Sequence, residues 1–187
     1  MLFRSITNIE KEHMDCYRDI KDLKDSFAQF ANSVPFYGSV ILCDESKEIL
    51  SIKDNIKKPI TTYGFSSSSN VYATSIEFDM MKTTFMLMHK DNECGRATIN
   101  VPGKHNVLNA LAAAALGFEL GLNDKTILKG LNSYEGVRRR FELKGKVNDT
   151  LIVDDYAHHP TEISSILEGV HNVNSNRKII KIGRAHV

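Results

Sequence analysis

Asp19-Ile20-Lys21-Asp22-Leu23-Lys24-Asp25-Ser26-Phe27-Ala28-Gln29-Phe30-Ala31-Asn32-Ser33-Val34, followed after Pro35 by Gly38-Ser39-Val40-Ile41-Leu42-Cys43, decides the fold class of this chain. Ile20, Leu23, Phe27, Phe30 and Val34 recur at steps of three and four, while Lys21, Asp22, Lys24 and Asp25 face the other way. That spacing predicts an amphipathic helix from Asp19 to Val34, stopped by Pro35. Gly38 to Cys43 is apolar without alternation, the pattern of a strand covered on both faces. A helix feeding such a strand predicts a parallel α/β layer.

From Thr61 the texture changes. Thr61-Thr62-Tyr63-Gly64-Phe65, a Ser66 to Asn70 turn, and β-rich runs over Val71 to Phe78, Thr83 to His89 and Gly95 to Val101 predict a small antiparallel meander. Met81-Lys82 and Lys90-Asp91-Asn92-Glu93 have hairpin length. Pro102-Gly103-Lys104 ends the last strand, and His105 to Leu120 reads as an alanine-rich helix with Gly121 at its C-cap. Asn123-Asp124 starts a second helix over Lys125 to Asn132. After Gly136 a new α/β unit is expected: strand Phe141 to Val147, strand Leu151 to Asp155, helix Pro160 to Val170 and strand Lys178 to Ile182. A boundary near Val137 with so short a linker predicts a cleft shared by the two parts.

Composition narrows the function classes. The 187 residues are 42% hydrophobic and 25% charged, the balance of a soluble folded chain. A formal net charge of +1 gives no electrostatic case for a nucleic-acid partner. Val107 to Phe118, the longest mostly apolar run, is too short to span a bilayer, and no signal peptide is evident. Cys16, Cys43 and Cys94 are widely spaced with no metal-ligand pattern, which reads as a reduced, cytoplasmic protein.

Candidate chemistry concentrates in the second half. Asn106 and Asn109 lie three apart in the first turn of the alanine-rich helix, so both amides project from one face. An amide offers donor and acceptor together, which suits an adenine edge; the competing reading is that Asn106 or His105 merely caps the helix. Arg140, after Arg138 and Arg139 at the junction, could clamp a phosphate, or the three could form a solvated basic linker. Asp154-Asp155 ends the apolar run Leu151-Ile152-Val153, placing a carboxylate at a strand end where ribose hydroxyls bind in dinucleotide sites. His158 and His159 precede Pro160 at a helix start, as proton carriers, phosphate contacts or simple caps. Glu10 follows a strand stub, a position where carboxylates hold Mg²⁺ beside phosphates, although most such glutamates are solvated. No Gly-x-x-x-x-Gly-Lys-[Ser/Thr] occurs: Gly103-Lys104 lacks the earlier glycine and is followed by His105.

Asn8-Ile9-Glu10 with His13-Met14-Asp15, then Val34 to Gly38, Thr61 to Phe65, Pro102 to Ala110, Gly136 to Glu142 and Val153 to Glu162 resemble, in order, the bacterial Mur ligases. The resemblance runs from about Ile6 to about Ile180. It implies an enzyme of peptidoglycan synthesis that uses ATP and Mg²⁺ to activate the carboxylate of UDP-N-acetylmuramate as an acyl phosphate. The amine of L-alanine then attacks. By that analogy residues 6–137 are the later part of a central ATP-binding domain and residues 138–182 open a Rossmann-like C-terminal domain. Asn106 and Asn109 would hold adenine, Arg140 phosphate, Asp155 ribose and Glu10 Mg²⁺, with His158 and His159 (and Arg140) as the catalytic side of the cleft.

Two departures qualify it. Asn32 stands where several relatives carry a metal-site histidine, so no second metal contact is supplied there. The missing phosphate loop predicts that these residues alone lack ligase activity. Residues 1–5 and 183–187 depart from the family pattern and read as non-native ends. The muramyl-peptide recycling branch of the same family and a non-catalytic nucleotide-binding module are the alternative readings.

Overall fold

A computed structural model describes residues 2–11, 14–173 and 178–183. Strands β1 (Phe3–Ile6), β2 (Ser39–Cys43), β3 (Ile60–Gly64), β4 (Val71–Phe78), β5 (Thr83–His89) and β6 (Asn92–Ile99) form one sheet in chain order. β1 to β4 run parallel, and β4, β5 and β6 pair antiparallel. Every residue of β2 is buried, as its unalternating sequence predicts. Phe3–Ser5, which the sequence pattern sets apart as a non-native end, pair with Ser39–Ile41.

Helix α1 (Ile20–Asn32) joins β1 to β2 and is capped by Asp19, whose side chain accepts the Asp22 N–H. It ends before Val34 because the residue preceding a proline disfavours helical backbone. The apolar stripe is displaced from expectation. Ala28 and Ala31 are buried, whereas Phe30 is 45% exposed beneath the Arg4 guanidinium, 4.9 Å from its ring centroid. Between β2 and β3 lie a one-turn helix α2 (Lys47–Leu50) and a 3₁₀ turn at Lys53–Asn55. Helix α3 (Lys104–Glu119) packs on β2, β3 and β4, and α4 (Asp124–Asn132) on β6. Strand neighbours point to opposite faces; Arg4 meets α1, whereas Phe3 and Ser5 face Ala112, Ala113 and Leu116 of α3. The two helices therefore cover opposite sides of the sheet.

Two turn details govern the connections. Thr61 to Phe65 is not part of the meander: β3 is parallel to both its neighbours. Asn70 makes this possible, its Oδ1 accepting the Thr62 N–H at 2.9 Å while its own N–H donates to Thr62 Oγ1 at 3.1 Å. A side chain thus substitutes for ladder bonds while the chain leaves and rejoins the sheet in the same direction. The β5–β6 hairpin is tighter than expected, with Lys90 (φ 48°) and Asp91 (φ 64°) both left-handed, as a two-residue type I′ turn requires. Gly121 (φ 75°) terminates α3 as expected: the Leu122 N–H reaches Gly117 O at 3.0 Å and the Gly121 N–H reaches Phe118 O at 2.9 Å.

The remaining unit is a hairpin of β7 (Glu142–Val147) and β8 (Thr150–Asp154), followed by α5 (Pro160–Val173). The expected strand over Lys178 to Ile182 is absent: Lys178–Gly183 has no regular structure, with Ile180 73% and Ile182 89% exposed. A parallel strand needs a neighbour to pair with, and among the described residues β8 pairs only with β7. For the same reason the apolar run Leu151-Ile152-Val153 is not buried; Ile152 is 49% exposed.

Candidate functional site

The first turn of α3 begins at Gly103, whose φ of 98° and ψ of 147° suit glycine alone. A Cβ there would lie 2.9 Å from the His105 ring, so the imidazole packs close against this backbone. Neither His105 nor Asn106 caps the helix by a side chain. Asn106 instead donates from Nδ2 to Pro102 O at 2.7 Å, which fixes its amide plane. Asn106 and Asn109 both line a cavity of about 420 Å³ between α3 and α4, walled by Ala110, Ala113, Gly117 and Ile127. Two amides in a mostly apolar slot form the kind of surface that accepts a flat heteroaromatic ring.

A second group of residues forms around the start of β7. Arg139 (φ 59°) and Phe141 (φ 49°) hold left-handed backbone, which costs a non-glycine residue on the order of 1 kcal/mol or more. Carboxylates hold it there. Glu142 accepts the Arg139 N–H at 2.8 Å. Asp155 accepts the Phe141 N–H through Oδ2 and the Ala157 N–H through Oδ1, both at 2.7 Å. The Arg139 guanidinium lies 4.7 Å over the Tyr156 ring and 3.8 Å from Asp154. Of the junction arginines, Arg140 turns towards α5, its Nη1 3.5 Å from Glu162 Oε1.

At the start of α5 the Ile163 N–H bonds to His159 O, making His159 the N-cap and Pro160 the first helical residue. Glu162 reaches back, its Oε2 accepting the N–H of His158 at 3.1 Å and of His159 at 3.4 Å. That is the acidic half of a capping box, and it satisfies the N–H of the N-cap and of the residue before it. Burial opposes ionisation of Glu162, but those N–H donors and the Arg140 guanidinium outweigh it and hold the carboxyl below its ordinary range. The His158 ring is exposed, with Nδ1 3.2 Å from Tyr156 O. The His159 ring lies 3.4 Å from Glu10 Oε2, so α5 is tied to the loop after β1. Asn8 donates to the other oxygen of Glu10.

The two groups adjoin through His105. Burial pushes its imidazole below the ordinary value, Asp155 partly restores it and Arg140 lowers it again, so both charges act on the α3 start. A Cβ on Gly169 of α5 would lie 3.6 Å from Gly103 Cα, which brings the same turn against α5. Arg140 and Asp155 do not line the α3–α4 cavity; they stand beside its helix start. The expected cleft is therefore two adjoining surfaces joined at Gly103-Lys104-His105.

Among the described residues no three His, Cys, Asp or Glu side chains group as a metal site, and His13 lies outside those residues. Glu10, in the loop after β1, offers a hard carboxylate donor, which suits Mg²⁺ bound mainly through phosphates and water. Asn32 fastens the end of α1 to the 3₁₀ turn, with Nδ2 donating to Asn55 O at 2.9 Å and Oδ1 accepting the Lys57 N–H at 2.7 Å. Sequence reasoning gave no ligand-site role to His105 or Glu162. The spacing of Glu162 three residues after an N-cap was a readable signal for the second.

Residues 4–117 match the Mur ligase middle domain, and residues 139–185 match the family described as Mur ligase, glutamate ligase domain. A UDP-N-acetylmuramate--L-alanine ligase from Syntrophus aciditrophicus is 45% identical over 94% of this chain and 36% of its own length. One from Desulforapulum autotrophicum is 40% identical over 97% of this chain and 40% of its own length. The solved UDP-N-acetylmuramate-alanine ligase of Thermotoga maritima superposes with a TM-score of 0.77 at 25% identity, covering 94% of this chain and 39% of that one. This chain thus spans about two-fifths or less of the length of these relatives. With two consecutive domains matched in order and the α/β layer shared, the chain belongs to the Mur ligase family.

Proposed function

We propose that this chain serves an ATP-dependent ligase that joins L-alanine to UDP-N-acetylmuramate in the cytoplasm, for peptidoglycan synthesis. Residues 6–137 belong to its central ATP-binding domain and residues 138–182 open its C-terminal, Rossmann-like domain. The observation that carries the reading is the amide-lined cavity between α3 and α4, in a chain whose relatives are named for this reaction.

Asn106 and Asn109 hold the adenine edge. Arg140 meets the phosphates, and Asp155 meets the ribose with the lone pairs its two backbone bonds leave unused. Glu10 is the Mg²⁺ ligand from this chain, and His158 and His159 flank the phosphate side. ATP supplies the phosphoryl group that activates the carboxylate, and Mg²⁺ neutralises the phosphates. The chain's own contribution is to orient nucleotide and carboxylate across the seam.

Asn109 is the cleaner residue to test, because the Asn106 amide also braces Pro102. Calorimetric titration of Asn109→Ala with ATP and with AMP is expected to show roughly tenfold weaker binding of both, the loss of one or two well-placed hydrogen bonds. Unchanged affinity for either nucleotide removes adenine from that cavity. A second reading, muramyl-peptide recycling, draws on the murein peptide ligase of Psychrobacter arcticus, 30% identical over 94% of this chain with a TM-score of 0.62. A chimaera supplying the relatives' remaining length separates them by whether L-alanine or the free tripeptide L-alanyl-γ-D-glutamyl-meso-diaminopimelate is the amine consumed.

A further inference from the structure

Glu162 is joined to more of the candidate site than any residue assigned to it above. Its Oε1 faces the Arg140 guanidinium at 3.5 Å, across 22 residues of sequence. Its Oε2 accepts the N–H of His158 and of His159, and lies 3.7 Å from the His158 ring. One carboxylate therefore fixes the orientation of the junction arginine and of the backbone that carries both histidines. We propose that Glu162 is a positioning residue, aiming Arg140 at the nucleotide phosphates. This rests on the nucleotide reading above and adds to it the group that prepares the phosphate contact.

The physical case has two parts. Arg140 is 54% exposed at its side chain and follows a residue in strained backbone, so without a partner its guanidinium samples many rotamers that miss the ligand. A partly buried carboxylate, itself locked by two backbone donors, removes that freedom before the ligand arrives. At 3.5 Å the contact is long for a charge-assisted bond, so Arg140 can keep Glu162 as a neighbour while its other donors turn to a phosphate.

Glu162→Gln separates positioning from capping, because glutamine also serves at the third position of a capping box while losing the charge that attracts arginine. Calorimetry with ATP, ADP and adenosine is expected to show about tenfold weaker binding of ATP and ADP, the usual effect of removing an outer partner of a binding residue, with adenosine unchanged. The same substitution in an Arg140→Ala background is expected to add less than about twofold, because its route of action is already gone. A purely structural cap predicts wild-type ATP affinity for Glu162→Gln and overturns the proposal. Tighter ATP binding overturns it as well, by showing that Glu162 competes with the phosphates. Equal losses for adenosine and ATP, or a loss that persists without Arg140, overturn it too. If the unsubstituted chain binds adenosine but gains nothing from the phosphates, the positioning role fails while the adenine site stands. If it binds neither, both readings fail.

Discussion

Residues 3–132 and residues 142–173 carry similar apolar patterns and bury very different amounts. Every buried hydrophobic side chain among the described residues lies between Ile6 and Leu131. In the second region Leu143, Val147, Ile152 and Val153 are all exposed, and α5 rests on the first region mainly through its amino end and Gly169. The difference shows what periodicity can establish. It marks the face a side chain would present to a neighbour, but the neighbour must exist. Polar groups behave otherwise: the His159 ring meets Glu10 across the seam, and the charges of Asp155 and Arg140 are felt by the His105 imidazole. The second region thus has a polar tie to the first and no fully buried side chain among its described residues, whereas the first is held by its core.

The widest test of that contrast is a deletion in the core. Phe85, in the central part of β5, is fully buried. Phe85→Ala is expected to lose about 3 to 5 kcal/mol, the transfer energy of the ring plus the cavity left behind. Denaturant unfolding followed by circular dichroism measures it. A loss below about 1 kcal/mol would mean that the sheet does not form the cooperative unit its burial implies.

Acid should act next most strongly, and at the seam. Burial lowers the pKa of His105, with Asp155 opposing and Arg140 assisting; burial also lowers that of His89, with Lys90 assisting and Asp124 and Glu119 opposing. A folded-state pKa below the unfolded value of about 6.5 means the unfolded chain binds more protons. Stability from these neutral imidazoles is complete above that pH and is lost as pH falls towards their folded values. The slope cannot exceed about 1.4 kcal/mol per pH unit for each histidine, and partial exposure makes it smaller. Urea titrations at stepped pH should show the fall, flattened but not abolished in His105→Gln, with His89 accounting for the rest. An unchanged slope in that variant would detach His105 from the seam.

What the sequence revealed divides along the same line. The extent of α1, the all-buried β2, the Gly121 terminus and the Asn123 cap were legible because each is set by residues a few positions apart. The direction of β3 was not, because it turns on the Asn70 side chain replacing ladder bonds with Thr62. The missing strand after α5 was illegible for the complementary reason, since Ile179, Ile180 and Ile182 have the right composition and no partner. At the candidate site the residue types were readable: amides on one helical face, an arginine at a junction, carboxylates at a strand end. Their geometry was not. It depends on left-handed Arg139 and Phe141, which no glycine or asparagine announces, and on Asp155 and Glu162 committing their oxygens to backbone donors.

The smallest expected effect is the sharpest probe of the second region. Ile152 sits in β8 opposite Gly145, and half of its surface faces solvent. Ile152→Ala is expected to change the stability of this chain by less than about 0.5 kcal/mol, as exposed substitutions do, despite the apolar run that contains it. If it instead costs about 2 kcal/mol or more, the hairpin must be burying that face against something, and a dependence of the loss on protein concentration would identify a second copy as the cover. A small loss would leave β8 as a strand whose apolar face is patterned for a neighbouring layer and unpaired with one.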